Sequence, residues 1–194
     1  MRKIYILLIL FFFNYQTISI SAENIKRIFE GNHNAKIKII AYESLTCSFC
    51  ADFHTDIYPN LKKDFIDKGL VKIEFRHFPL DLAAFNASKI AQCKNDGDSN
   101  LLHILFSNQK KWAKGKSVEE ANINLENFIK VQNLNIDYNR CKNDKDLEDF
   151  ILNDRIEGVK KFNVNATPTI IIYNKKFEKS LNYKNLKKTL EKLI

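Results

Sequence analysis

Cys47 and Cys50 form a C-x-x-C pair that lies between two segments of different apolar periodicity. Residues 37–42, before the pair, are a short apolar run rich in β-branched side chains, which predicts a buried strand. After the pair, apolar residues recur at three- and four-residue steps from position 50 to position 65, which predicts an amphipathic helix. Cys47 therefore falls where a strand ends and a helix begins.

This position predicts the chemistry of the pair. The unpaired N–H groups and the dipole at a helix N terminus stabilise a thiolate and lower the pKa of a cysteine. We therefore expect Cys47 to be the nucleophile and Cys50, one turn later, to be the buried resolving thiol. The alternative is a metal site that includes His54, but a structural zinc site needs four ligands and no convincing fourth ligand is evident. We favour a redox pair with no metal and no cofactor.

The first 22 residues have the layout of a secretory signal peptide. A cationic start, Met1-Arg2-Lys3, is followed by the apolar run 4–13 and then by a polar stretch that ends in small residues. The apolar run is about half of the roughly 20 residues that a membrane-spanning helix requires. We therefore expect residues 1–22 to be a signal peptide, with an uncleaved N-terminal anchor as the alternative. Export would permit stable disulfides.

Composition allows one domain and says little about partners. The chain has 194 residues, of which 45% are hydrophobic, enough for one sizeable core. Its formal net charge of +8 is compatible with nucleic acid or anionic lipid as a partner. However, short lysine pairs alternate with acidic residues, as on solvated helix faces, and no nucleic-acid-binding motif accompanies the charge. We predict no nucleic-acid partner.

A second landmark lies far along the chain, where Thr167-Pro168 precedes the apolar run 170–173. That run predicts a central strand, and a proline is tolerated at the first position of a strand, where no ladder donor is lost. Alone, the pattern is weak. Its weight comes from the strand, C-x-x-C pair and helix that precede it in the sequence.

Together these segments resemble the DsbA-like thiol:disulfide oxidoreductases, a family of secreted bacterial proteins. The matching residues are 41–51 around the cysteine pair, 76–81 after the second predicted strand, Ala91-Gln92-Cys93, Trp112 and 166–169. They occur in the order of the family and span nearly the whole chain from about residue 28.

The resemblance implies an α/β thioredoxin fold with an inserted all-helical subdomain. The thioredoxin-like domain would be discontinuous, residues 23–80 and 161–194, around a helical insertion at 81–160. The expected strands are 37–43, 70–77, 169–174 and 176–180, and the expected helices outside the insertion are 48–67 and 183–193. Within the insertion, apolar residues recur at helical spacing, which predicts helices independently.

The resemblance also implies roles for residues beyond the pair. Pro168 would be cis and face the C-x-x-C, and the backbone of Thr167 would pair with an extended substrate. Many relatives carry a buried acid six residues before the first cysteine, where this chain has Ala41. Glu43 shares a strand face with Ala41, because side chains alternate with period two. Glu43 is therefore either a substitute tuning acid or an exposed residue at the strand end.

Cys93 and Cys141 lie in the predicted insertion, 48 positions apart. A subset of the family bonds two cysteines at corresponding places, so the resemblance implies a structural disulfide here. Two buried free thiols are the alternative. In either case we expect a structural role and no catalytic one.

The function that the resemblance implies is oxidation of reduced, unfolded exported proteins in the periplasm by dithiol–disulfide exchange. A membrane quinone-linked partner would reoxidise the pair, and the protein would be a monomer. An isomerase or reductase of the same fold is the first alternative, because Thr167 stands where many strong oxidants have Val. A redox-inert or metal-carrying binding module is the second. The glutathione-dependent transferases of this fold are disfavoured, because they lack a complete C-x-x-C.

Overall fold

The computed structural model describes residues 25–194, so the predicted signal peptide lies outside the described residues. Strands in this part of the chain form one mixed sheet in the order β1-β3-β2-β4-β5. They are β1 (Ile28–Glu30), β2 (Ile37–Glu43), β3 (Val71–His77), β4 (Thr169–Ile172) and β5 (Lys175–Lys176). From residue 25 onward, no helix has the length and apolar character needed to cross a bilayer.

Strand β2 is the centre of the sheet and ends at the catalytic candidates. It pairs in parallel with β3 and antiparallel with β4 along most of its length. Ile37, Ile39 and Ala41 are buried on one face, as the apolar run predicts. Because β2 is hydrogen-bonded to a strand on each side, the position of its C-terminal residue, Glu43, is fixed within the fold.

One long helical segment, α1, follows the cysteine pair. It consists of the α-helical stretches Ser48–Asp52 and Tyr58–Leu61, each followed by a π-helical turn, at Phe53–Ile57 and at Lys62–Ile66. The sequence predicts a disturbance at Pro59, which lacks an N–H group and cannot complete a regular helical bond. The first π-helical turn lies directly before this proline. It also carries His54, so the irregularity sets where that side chain points.

Six helices lie between β3 and β4, in the stretch where the sequence predicts a helical insertion. They are α2 (Leu82–Gln92), α3 (Asn100–Ser107), α4 (Gln109–Trp112), α5 (Val118–Val131), α6 (Tyr138–Lys142) and α7 (Lys145–Phe162). A last helix, α8 (Tyr183–Leu190), closes the described chain. The domain boundaries at 80/81 and 160/161 stay a prediction.

Most helices and one face of the sheet share the larger of two buried apolar clusters in the described chain. Trp112 is fully buried in it, and its Nε1 donates to the carbonyl of Leu105 at 2.9 Å. Cys93 and Cys141 are joined by a disulfide that ties the end of α2 to α6 across 48 positions. In the chain-entropy model, closing a loop of this length stabilises the fold by about 4 kcal/mol.

The predicted strand bounds need correction at the hairpin. The sequence predicts strands 169–174 and 176–180, whereas β4 ends at Ile172 and β5 covers only Lys175–Lys176. Tyr173 and Asn174 both have positive φ, 48° and 61°, and form the two-residue turn between them. The apolar character of Tyr173 made the turn look like strand.

Two further bounds differ at the chain ends of the described region. The short edge strand β1 was not expected, because three residues carry no periodic signal. It pairs antiparallel with β3. Helix α8 ends at Leu190 instead of residue 193.

Candidate active site

Cys47 and Cys50 lie at the start of α1, directly beyond the end of the central strand. Cys47 is the N-cap residue, with extended backbone, and its carbonyl accepts from the N–H groups of Cys50 at 3.1 Å and Ala51 at 3.2 Å. Both cysteines are free thiols in this structure. Cys47 is partly exposed, whereas Cys50 has no exposed surface.

The two thiols have opposite acidities. A hydrogen bond from Cys50 lowers the pKa of Cys47 most strongly; burial opposes it, and backbone N–H groups of the helix add to the lowering, to about 5. Burial raises the pKa of Cys50, and the hydrogen bond to Cys47 and the charge of Glu43 raise it further. At neutral pH Cys47 is therefore a thiolate beside a protonated Cys50. Such an asymmetry suits thiol–disulfide exchange, in which the exposed sulfur attacks and leaves and the buried sulfur stays protonated.

The Thr167–Pro168 loop lies against the exposed sulfur. The peptide bond between the two residues is cis, and Cys47 Sγ is 3.3 Å from the carbonyl oxygen of Thr167. The Thr169 hydroxyl donates to the Ala166 carbonyl at 2.7 Å and fastens the loop to the start of β4. Residues 120 positions apart are thus brought together by the antiparallel pairing of β2 with β4.

Glu43 points inward and is buried, so it is not the exposed strand-end residue that the sequence left as one alternative. Only 3% of the residue is exposed. Its Oε2 lies 2.9 Å from Nε2 of His54, and its Oε1 has no hydrogen-bond partner among residues 25–194. His54 bonds Glu43 and His103, and neither cysteine. Within the described chain no group of three or more potential ligand side chains is arranged to hold a metal ion.

Gln109 is a site residue that the sequence did not reveal. Its side-chain Nε2 donates to the carbonyls of Leu45 and Cys47, both at 2.9 Å, and so clamps the loop that presents the nucleophile. It belongs to the helical region, 62 positions from Cys47. In the sequence, Gln109 is a polar residue three positions before Trp112. Such a residue has no specific meaning in a single sequence.

A second set of contacts that the sequence did not predict holds the same loop. Thr46 Oγ1 donates to Asp81 Oδ2 at 2.7 Å, and Asp81 also caps α2 by accepting from the N–H of Ala84. Ser44 Oγ accepts from the N–H of Leu80 at 3.2 Å. The segment that carries Cys47 is therefore fixed to the first helix beyond β3.

A groove runs beside the cysteine pair and the cis-proline loop. Its walls are formed by α1, the Thr167–Pro168 loop and the segment before α8, including Phe49, Asp52, Phe53, Asp56, Ile57, Thr167, Pro168, Leu181 and Asn182. Phe49, inside the C-x-x-C, is 71% exposed. The groove combines an apolar surface with the carboxylates of Asp52 and Asp56. Cys93 and Cys141 do not line it.

Comparison with known proteins agrees with this geometry. A family model described as thioredoxin matches residues 23–192. A putative protein-disulfide oxidoreductase of Rickettsia bellii is 35% identical over 92 residues, which are 46% of this chain and 36% of that protein. The chain thus aligns with little more than a third of this relative. Disulfide bond formation protein D of Bacillus subtilis is 28% identical over 171 residues, 84% of this chain and 74% of that protein.

Solved structures give the same result. Alpha-DsbA1 of Wolbachia pipientis superposes with a TM-score of 0.76 at 29% identity, covering 86% of this chain and 90% of that one. BdbD of Bacillus subtilis superposes with a TM-score of 0.68 at 25% identity, covering 86% and 91%. The predicted thioredoxin fold with helices inserted between its strands is confirmed. The chain belongs to the thioredoxin family, among its DsbA-like members.

Proposed function

We propose that this protein is an exported protein-disulfide oxidoreductase that introduces disulfide bonds into reduced exported proteins through Cys47 and Cys50. The observation that carries the proposal is the asymmetry of the pair: the exposed Cys47 has a pKa lowered to about 5, while burial raises that of Cys50. Stabilising the Cys47 thiolate stabilises the reduced protein, which makes the disulfide a stronger oxidant.

The exchange proceeds in two displacements. A substrate thiolate attacks Cys47 Sγ, a mixed disulfide forms, and the electron pair of the broken bond passes to Cys50. A second substrate thiolate then attacks the substrate sulfur, and Cys47 leaves as a thiolate. The substrate loses two electrons and gains a disulfide, and the protein is left with two reduced cysteines. A low pKa makes Cys47 a fast leaving group.

The groove and the proline loop support substrate binding next to the sulfur. An extended peptide lying along the groove would place its cysteine at Cys47 and its backbone at Thr167. The exposed ring of Phe49 would contact its apolar side chains. We assign Thr167 and Pro168 to substrate positioning, and the Cys93–Cys141 disulfide to stability alone.

The cycle requires an acceptor for two electrons. We propose the periplasm as the location and a membrane quinone-linked protein as the reoxidising partner, because the relatives include named disulfide bond formation proteins. The substrates would be reduced, unfolded exported proteins, and the protein would act as a monomer.

The deciding experiment is the reduction potential of the Cys47–Cys50 pair, measured by equilibrating the protein with glutathione buffers. A value near the roughly −120 mV of DsbA supports a net oxidant. A value near the roughly −270 mV of thioredoxin would contradict the oxidative role and favour a reductase or isomerase. The absence of any reversible two-electron transition would sink the proposed activity altogether and leave a redox-inert binding module.

A further inference from the structure

Four side chains form an unbroken line of hydrogen bonds that starts at Glu43, the last residue of the strand before the cysteine pair. Glu43 Oε2 lies 2.9 Å from His54 Nε2. His54 Nδ1 lies 2.7 Å from His103 Nδ1. His103 Nε2 lies 2.8 Å from Glu30 Oε1. The line joins the end of β2, the first π-helical turn of α1, helix α3 and strand β1.

The two ends of this line differ in their access to water. At the inner end, the side chains of Glu43 and His54 are 4% and 1% exposed, and the charge of Glu43 acts on Cys50. At the outer end, the side chain of His103 is 20% exposed. Glu30 there binds Lys62, which is 44% exposed, at 2.7 Å. The line therefore connects a dry site to solvent.

Counting hydrogens gives one arrangement that satisfies every bond of the line. A bond between two imidazole Nδ1 atoms holds one hydrogen. If His54 carries its hydrogen on Nε2, toward Glu43, its Nδ1 accepts from His103. His103 then donates through both ring nitrogens, to His54 and to Glu30. Every bond in the line has one hydrogen, and Lys62 with protonated His103 balances the two carboxylates.

A second arrangement differs from the first by the position of one proton. If each hydrogen between His103 and Glu43 moves one step inward, Glu43 becomes protonated, His54 carries its hydrogen on Nδ1, and His103 is neutral. No heavy atom has to move. Two imidazoles in series are suited to such a transfer, because each can gain a proton on one nitrogen while it loses one from the other.

Burial acts to raise the pKa of Glu30, but hydrogen bonds from His103, Lys62 and Ser99 outweigh it and hold the pKa well below its usual range. Glu30 is therefore a fixed carboxylate at the outer end of the line. Lys62 is paired in turn with Asp67 at 3.1 Å.

The exchange reaction needs a proton where water has no access. When the disulfide is reduced, the electron pair of the broken bond goes to Cys50, which has no exposed surface. We propose that His54 and His103 form a relay that carries a proton between solvent and Glu43, and that Glu43 passes it to Cys50. The inference rests on the proposed exchange activity and adds two residues to it.

The step balances without a further reactant. The substrate thiolate bonds to Cys47 and the Cys47–Cys50 bond breaks. His103 gives a proton to His54, His54 gives one to Glu43, and Glu43 gives one to Cys50. His103 then takes one proton from solvent. Reoxidation runs the same path outward.

Two other titratable groups near the line, Tyr58 and His77, keep one protonation state at neutral pH. Tyr58 stacks on His103 with ring centroids 4.3 Å apart, and burial together with Glu30 raises its pKa. His77 lies opposite Glu43 in the register of β2 and β3 and bonds Gln92. Burial lowers the pKa of His77 to about 4, so it stays neutral. His77 is a matched control, because it is a buried histidine outside the line.

The test is the reduction of the oxidised full-length protein by a dithiol peptide, with bond cleavage followed by acid quench and proton uptake by a pH indicator. For His103→Ala we expect both rates to fall about 100-fold, the lower end for a lost acid–base group. They should then rise with buffer concentration, whereas the wild-type rates should not. Added imidazole should restore most of the loss by entering the vacated space near the surface.

Further variants separate a relay from a structural role. His103→Gln keeps hydrogen bonds without a transferable proton and should be as slow as His103→Ala, whichever of the two folds better. His54→Phe preserves the stack on Phe106, with ring centroids 4.1 Å apart in the native protein, and should be slow without rescue. His77→Gln should exchange at the wild-type rate.

Wild-type rates in both His103 variants would overturn the relay, as would slow exchange that imidazole leaves unchanged in His103→Ala. Equal rescue of His54→Phe would also overturn it, because imidazole would then act on Cys50 directly. A wild-type protein that undergoes no exchange would instead defeat the proposed function. The two failures are therefore distinguishable.

Discussion

Cys47 and Cys50 are three positions apart and are free thiols, of which Cys47 is partly exposed and Cys50 is buried. Cys93 and Cys141 are 48 positions apart, buried and joined by a disulfide within the helical region. The first pair is surrounded by groups that separate the acidities of its two sulfurs. The second pair joins two helices. Four identical side chains thus divide into two free thiols of different acidity and one buried disulfide.

What surrounds each pair explains the difference. Cys47 has the thiol of Cys50 and the N–H groups of a helix N terminus against its sulfur, both of which stabilise negative charge. Beside the second disulfide, the guanidinium of Arg140 lies 2.9 Å from Cys93 Sγ, but only 7% of Cys93 is exposed. A disulfide that an incoming thiolate cannot reach does not exchange, whatever charge lies nearby.

The largest expected effect comes from removing the reactive sulfurs. Cys47→Ser should abolish exchange, because an un-ionised hydroxyl replaces a thiolate, and Cys50→Ala should accumulate mixed disulfides, because the resolving thiol is gone. Non-reducing gels of each reduced variant mixed with a disulfide-containing model substrate measure both outcomes. Full turnover by Cys50→Ala would refute the two-cysteine mechanism.

Removing the second cysteine pair should lower the stability of the protein and leave the exchange reaction unchanged. The double variant Cys93→Ala, Cys141→Ala should lower the free energy of unfolding by about 2–5 kcal/mol, the range for a lost native disulfide. Urea unfolding measures this loss, and the exchange rate of the folded variant should match that of the wild type. A lower exchange rate with unchanged stability would mean that the second pair takes part in the reaction.

The sequence predicted the reactive pair better than its surroundings. Strand 37–43 and the start of α1 follow from periodicity within a few residues of Cys47, and both agree with the structure. Gln109 and His103 reach the site from helices about 50 to 60 positions away. Local periodicity marks the helices as apolar on one face but does not say which element that face meets. These two residues could therefore be found only from the packed structure.

Glu43 is an intermediate case. The period of a strand places it on the same face as Ala41, but at the last position of β2 that face either continues into the core or opens to solvent. The outcome depends on α1 and α3, whose residues His54 and His103 cover the carboxylate. A local rule thus gave the direction of the side chain, and long-range packing decided its burial.

The smallest expected effect is a pH dependence of the stability of the reduced protein. It arises from Cys47, and the disulfide-bonded Cys93 and Cys141 cannot contribute to it. The pKa of Cys47 falls from 9.0 to about 5 on folding, so between these values the unfolded state binds more protons than the folded state. The stability contributed by Cys47 is therefore fully present above about pH 9 and lost as pH falls through about 5. In Cys47→Ser this contribution should be missing.

Cys50→Ala sharpens the same measurement, because it removes the hydrogen bond that lowers the pKa of Cys47 most strongly. The thiolate absorbance of the reduced protein should titrate with a midpoint near 5, and at a higher pH in the variant. Urea unfolding under reducing conditions at pH 5, 6, 7 and 8 should show a shallower rise of stability with pH in Cys50→Ala than in the wild type. Superimposable curves for wild type, Cys50→Ala and Cys47→Ser would show that the thiolate is not stabilised by folding, and the contrast between the two cysteine pairs would then rest on exposure alone.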